Sequence, residues 1–154
     1  MSKADFKGLI RQITADIAGR PLDGRLQQHL NTRIPESGPL FKEVEASIHQ
    51  GIAEGWLCEN EHRGIRYGRP FEAEAELADF SVDVVRMPEI AGPQHRHPNG
   101  EIDMIIPLTP GAKFDGTPRG WMVYGPDTSH RPTITGGEAI VLYLLPDGKI
   151  DFAR

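Results

Sequence analysis

The hydrophobic pattern of this chain changes period near Trp56, and that change fixes the kind of fold available to it. Before Trp56 the apolar residues recur at helical spacing. Phe6, Leu9, Ile10, Ile13 and Ile17 form one stripe, stopped by Gly19 and Pro21. Leu22, Leu26 and Leu30 form a shorter one that stops before Pro35. Leu40, Val44, Ile48, Ile52 and Trp56 form a third, which Gly51 and Gly55 are expected to break. After Trp56 the spacing shifts towards two. Trp56–Glu61 and Ile65–Arg69 flank His62-Arg63-Gly64 as a hairpin, and Phe80–Met87 alternates up to Pro88. Glu101–Leu108, Gly120–Tyr124 and Glu138–Leu145 read as further strands between Pro/Gly turns, and Phe71–Ala78 as an irregular connection. The pattern predicts a helical region over 1–57 and a β domain over 58–154.

Composition narrows the function. With 38% hydrophobic and 25% charged residues, the 154-residue chain can bury a core. A net charge of -5 leaves no basic field for nucleic acid or an anionic membrane. Helices followed by a hairpin also fit a small winged-helix unit, but residues 1–57 carry seven Lys/Arg against seven Asp/Glu, and a DNA-binding head needs a basic face. No apolar run approaches the ~20 residues of a membrane span. The start shows no apolar signal segment, and the single cysteine, Cys58, excludes an intrachain disulfide. A cytoplasmic location is the expectation.

The stretch Gly92-Pro-Gln-His95-Arg-His97-Pro-Asn-Gly-Glu101-Ile-Asp103 carries the chemistry. Alternate side chains of a strand share a face, so His95 and His97 point the same way. Pro98-Asn99-Gly100 reverses the chain, which lets Glu101 face the same interior. Further on, Gly125-Pro-Asp-Thr-Ser-His130 offers a fourth ligand at a turn opening another strand. Imidazoles and a carboxylate converging in this way bind one divalent metal ion, with Fe, Mn, Zn and Ni all compatible. Asp103, two residues after Glu101, faces the same cavity, either as an acid/base beside Glu101 or as a partner orienting a metal-bound imidazole.

These residues resemble the cupin family, whose motifs place a His-x-His pair and a Glu around one turn and a further His after a second. The resemblance implies a cupin-type β-barrel (double-stranded β-helix) over about residues 80–150, with His95, His97, Glu101 and His130 as ligands. The second motif stands here as GPDTSH without its internal glycine, and Ile134 replaces its asparagine. Taken whole, with its helical start, its QHRHPNGEIDMI core and its PRGWMVYGPDTSHRPTITGGEAIVLYLLPDG tail, the chain looks like the bacterial 4-hydroxylaminobenzoate lyases of nitroaromatic breakdown. That resemblance implies conversion of a hydroxylaminobenzoate to protocatechuate and ammonia.

Such a substrate sets further expectations. Its carboxylate calls for an arginine, and Arg119 and Arg131 flank the strand leading to His130. Trp121 and Tyr124 are candidates to stack on its ring, with core packing as their plainer role. Other readings of the same ligands are an Fe(II) dioxygenase, an isomerase, or a non-enzymatic ligand sensor. The expected partner is a small aromatic acid, with no nucleic acid and no membrane. A homodimer is expected too, because Phe80–Met87 as an edge strand needs covering.

Overall fold

A computed structural model describes residues 2–152. Three helices come first: α1 (Lys3–Ile17), α2 (Gly24–Arg33) and α3 (Pro39–Glu54). Each starts where its sequence provides a cap. The Ser2 hydroxyl accepts from the Asp5 amide while Asp5 accepts from the Ser2 amide. Asp23 accepts from the Leu26 amide, and Pro39 occupies the first turn of α3. Helix α3 does not break at Gly51. It runs through to Gly55, whose φ of 87° reverses the chain and lays Trp56 and Leu57 back over Gly51. A Cβ at Gly51 would sit 2.7 Å from Leu57 Cδ1, so this glycine serves close packing and not helix termination.

The β region contains β1 (Asn60–His62), β2 (Ile65–Phe71), β3 (Phe80–Met87), β4 (His95–His97), β5 (Glu101–Pro107) and β6 (Lys113–Phe114). It continues with β7 (Gly120–Tyr124), β8 (Thr128–His130), β9 (Ile134–Thr135), β10 (Ala139–Pro146) and β11 (Asp151–Phe152). One six-stranded antiparallel sheet has the order β1-β2-β3-β10-β5-β7. A three-stranded sheet, β11-β4-β8, and a two-stranded sheet, β6-β9, lie over its inner face. This is the mainly β, helix-extended, cupin-type architecture the sequence implies. Its barrel is built as facing layers and not as one continuous hydrogen-bonded ring.

Strand alternation sorts the large sheet into two faces. Val82, Val84, Ile102, Met104, Ile106, Ile140, Leu142 and Leu144 point outward and share one core with Phe6, Ile10, Ile13, Leu30, Phe41 and Ile48 of the helices. Val85, Met87, Ile105, Val141, Tyr143 and Leu145 point inward, against Phe114 and Ile134 of the small sheet. Glu101 and Asp103 belong to that inner face. Strand β3 is paired on both sides, by β2 and β10, so it offers no free edge for a dimer. The outer backbone of β7 is covered differently: Asn31 and Gln27 of α2 accept hydrogen bonds from the Trp121 and Val123 amides. Among the described residues no helix is long and apolar enough to cross a membrane.

Candidate metal centre

Register brings the ligand candidates together. In the β4–β8 ladder His95 lies directly opposite His130, and His97 opposite Thr128. The turn after β4 closes with the Gly100 amide on the His97 carbonyl, 3.2 Å away, and returns the chain as β5 with Glu101 at its start. Gly100 has a φ of 90°, and a Cβ there would meet the Tyr124 carbonyl oxygen at 2.7 Å. The result is one buried cluster in which ligand atoms of His95, His97, Glu101 and His130 lie within 4.8 Å of one another.

The distances fit a shared cation. His95 Nε2 is 3.3 Å from Glu101 Oε1, His97 Nε2 is 3.4 Å from the same oxygen, and His130 Nε2 is 3.3 Å from Glu101 Oε2. The His95 and His130 Nε2 atoms face each other at 2.9 Å. Ligands held at ~2.1 Å around one ion stand roughly 3.0–3.4 Å apart, depending on coordination geometry. The buried Nε2 of His97 and Oε2 of Glu101 have no hydrogen-bond partner among the described residues. Unpartnered buried donor atoms aimed at one point are what a metal would satisfy.

Outer contacts fix which ring nitrogen faces inward. The Thr128 hydroxyl donates to the Gly125 carbonyl at 2.7 Å, so its oxygen is left to accept from His97 Nδ1 at 2.9 Å. His130 Nδ1 donates to Asp115 Oδ2 at 2.5 Å. In His97, neutral near pH 7, the proton sits on Nδ1 and the Nε2 lone pair points into the cluster, while in His130 the same kind of Nδ1 contact turns Nε2 inward, where a bound ion would take the place of its proton. Asp115 is held in turn by the Tyr124 hydroxyl at 2.5 Å and the Thr133 amide at 2.8 Å.

The electrostatics follow from burial and these partners. Burial drives the His97 imidazolium down to about 4, so the ring is neutral near pH 7. Burial also opposes charge on His130, yet its hydrogen bond to Asp115 and the Glu101 carboxylate beside it carry it up to about 9. Burial raises Glu101 too, but His130 and His95 hold it below the ordinary carboxylate range. Asp103 goes the other way. Burial first, and then the neighbouring Glu101 charge, raise it well above that range. Neither of its oxygens has a hydrogen-bond partner. Asp103 therefore orients no imidazole; Asp115 and Thr128 do that, and neither was singled out from sequence.

The substrate-side expectations fare unevenly. Tyr124 is at the cluster, its ring centroid 4.4 Å from that of His130 and 5.3 Å from that of His97. Trp121 is not. It lies on the opposite face of β7, packs edge-on to Phe41 and donates from Nε1 to the Ile34 carbonyl at 2.8 Å. Arg119 is also turned to the helices, where it pairs with Glu36 and Glu45 and covers the Phe41 ring. The exposed Arg131 donates to the Gly92 carbonyl at 3.2 Å and does not line the cavity beside the cluster. That cavity, about 520 Å³ and bounded by His95, has Arg69 in its wall instead.

Fold and site define a small two-layer β protein with a buried cluster of three histidines and one glutamate. The profile of the PnbB 4-hydroxylaminobenzoate lyases matches residues 8–152, so the chain belongs to the 4-hydroxylaminobenzoate lyase family. A 4-hydroxylaminobenzoate lyase of Nocardioides sp. (strain LMS-CY) is 33% identical over 147 residues, covering 89% of this chain and 86% of that one. One of Pseudomonas putida is 29% identical, covering 99% and 97%. Among solved structures, an RmlC-like cupin protein from Ralstonia eutropha JMP134 aligns with a TM-score of 0.44 at 12% identity. That alignment covers 60% of this chain and 61% of the other. An oxalate oxidase aligns with a TM-score of 0.32 at 17% identity, covering 61% and 57%.

Proposed function

We propose that this chain is a metal-dependent 4-hydroxylaminobenzoate lyase that converts its substrate and one water to protocatechuate and ammonia. The reaction is redox-neutral. The N–O bond is reductively cleaved as the ring carbon beside the nitrogen gains oxygen, and water then displaces the nitrogen as ammonia. One hydroxyl leaves as water and two waters are taken up, so one water is consumed overall.

The observation that supports this reading most is the convergence of His95, His97, Glu101 and His130 beside the fully buried Asp103. The four ligands fit one divalent ion and leave positions open on a five- or six-coordinate centre. When bound, such an ion supplies Lewis acidity towards an N–OH oxygen or a water. Asp103, on the same inner sheet face and raised by burial, is the acid for the departing hydroxyl. Glu101 stays anionic and completes the ligand set. Tyr124 and Asp115 hold His130 in place and wall the cluster on one side.

The test is ammonia release from 4-hydroxylaminobenzoate by purified protein loaded with Fe, Mn, Zn or Ni. Release that needs the ion and drops at least about a hundredfold in Asp103→Asn is the expected result. A fully loaded protein that leaves the substrate intact would contradict the proposal.

A further inference from the structure

We propose that the cavity beside His95 is the pocket for the aromatic acid, and that Arg69 in its wall pairs with the carboxylate. The proposal rests on the lyase reading and names where that substrate sits.

The cavity lies between the inner face of β2, β3 and β10 and the strands β4 and β11. At about 520 Å³ it falls in the range of small-molecule sites, roughly 300–1,000 Å³. Val85, Met87, Leu145 and Ile150 give it apolar walls suited to a benzene ring. Tyr67 and Phe152 also line it, and these are the two large hydrophobic side chains left exposed among the described residues, at 42% and 59%. Two exposed aromatics at one cavity mark a binding surface better than either would alone. Phe152 stands opposite His95 in the β11–β4 ladder, their rings 5.7 Å apart. A ring entering past Phe152 therefore arrives at His95, the one cluster ligand among the described lining residues.

The carboxylate of the substrate is para to the nitrogen, so with the hydroxylamine end at the cluster it points away from it and needs a cation of its own. Arg69 is the one Lys or Arg among the described lining residues. Its guanidinium is held flat from one side. Nε donates to Asp83 Oδ1 at 3.0 Å, and Nη2 donates to Asp83 Oδ2 at 3.1 Å and to the Gly148 carbonyl at 3.3 Å. Among the described residues Nη1 reaches only Glu72, whose side chain is 79% exposed. A contact to so exposed a carboxylate is weak and easily exchanged. A ligand carboxylate can replace Glu72 on Nη1 while Asp83 keeps the fork in position. Arg119 and Arg131 cannot do this, because neither lines the cavity.

Calorimetric titration of the metal-loaded protein with 4-hydroxybenzoate and with 4-hydroxybenzamide tests the pocket without turnover. The two ligands share a shape and differ in charge. The acid binds wild type more tightly than the amide, and Arg69→Ala weakens the acid by about 10–100-fold with the amide unchanged. Arg69→Lys recovers part of that loss. Because Arg69→Ala strips Asp83 of its partner, Val85→Phe provides an independent check: it intrudes on the cavity, leaves Arg69 in place, and abolishes binding of both ligands. Equal loss of acid and amide in folded Arg69→Ala, or wild-type affinities in Val85→Phe, overturns the proposal. Wild-type ammonia release that survives Arg69→Ala with unchanged KM sinks the pocket and leaves the lyase reading standing. Arg69-dependent binding of the acid without any ammonia release does the reverse.

Discussion

Replacing Asp115 by Asn separates the metal centre from its support. Asp115 accepts from His130 Nδ1 and the Tyr124 hydroxyl through one oxygen, each at 2.5 Å, and from the Thr133 amide through the other. Asparagine keeps the shape and one acceptor oxygen but loses the charge. It can serve the Thr133 amide or the His130–Tyr124 pair, and its NH2 group must then face a donor. If the oxygen stays with Thr133, His130 Nδ1 loses its acceptor, and the ring is no longer fixed with Nε2 inward. Loss of such an outer partner costs about 10–100-fold in metal affinity, or about 1.4–2.7 kcal/mol. The assay is competition for Zn or Mn against a chromophoric chelator, with circular dichroism to confirm the fold. Wild-type and Asp115→Asn affinities within twofold of each other, with both proteins folded, would refute the argument that Asp115 orients His130.

Other predictions separate packing from catalysis. Arg119→Ala removes its ion pairs with Glu36 and Glu45 and its contact with Phe41, so stability falls by about 1–2 kcal/mol while KM is unchanged. Thermal melts and steady-state kinetics check this, and a large KM increase with an unaltered melt would restore Arg119 to the substrate. Gly51→Ala gains about 1 kcal/mol of helix propensity but forces a methyl to within 2.7 Å of Leu57 and 2.9 Å of Trp56. Overpacking of about 1–3 kcal/mol wins, and Tm falls by a few degrees; a raised Tm would show that the loop after α3 yields freely. Burial pushes the Cys58 thiol up to about 11, so below that pH it stays protonated. Ellman's reagent at pH 8 should label it slowly in native protein and fast in denaturant, and fast native labelling contradicts the buried placement.

The sequence was most legible where one rule decided the outcome. Period two gives β3 and β7 their exact bounds, and the Pro-Asn-Gly turn returns Glu101 to the side of His95 and His97. The same rule separates Trp121 from Tyr124: three residues apart on one strand, they point to opposite faces, so of the two candidates for the substrate ring Trp121 takes the plainer role of core packing. Arg69 and Asp115 are a different matter. Arg69 lies where the β2–β3 register shifts between Gly68 and Phe71, so alternation does not say which way it points. Asp115, at a φ of 50° in an Asp-Gly turn, reaches His130 only through the fold of two short sheets. A turn can be read locally, but its partner 15 residues away cannot.

The central claim is that four side chains hold one ion. Elemental analysis of metal per chain tests it most directly, on wild type and on His95→Ala, His97→Ala, Glu101→Gln and His130→Ala after equilibration with one divalent ion and exhaustive dialysis. One bound ion per wild-type chain and a clear loss in each folded variant are the expected results. A wild-type protein that retains none of Fe, Mn, Zn or Ni, or variants that keep a full equivalent, would contradict it.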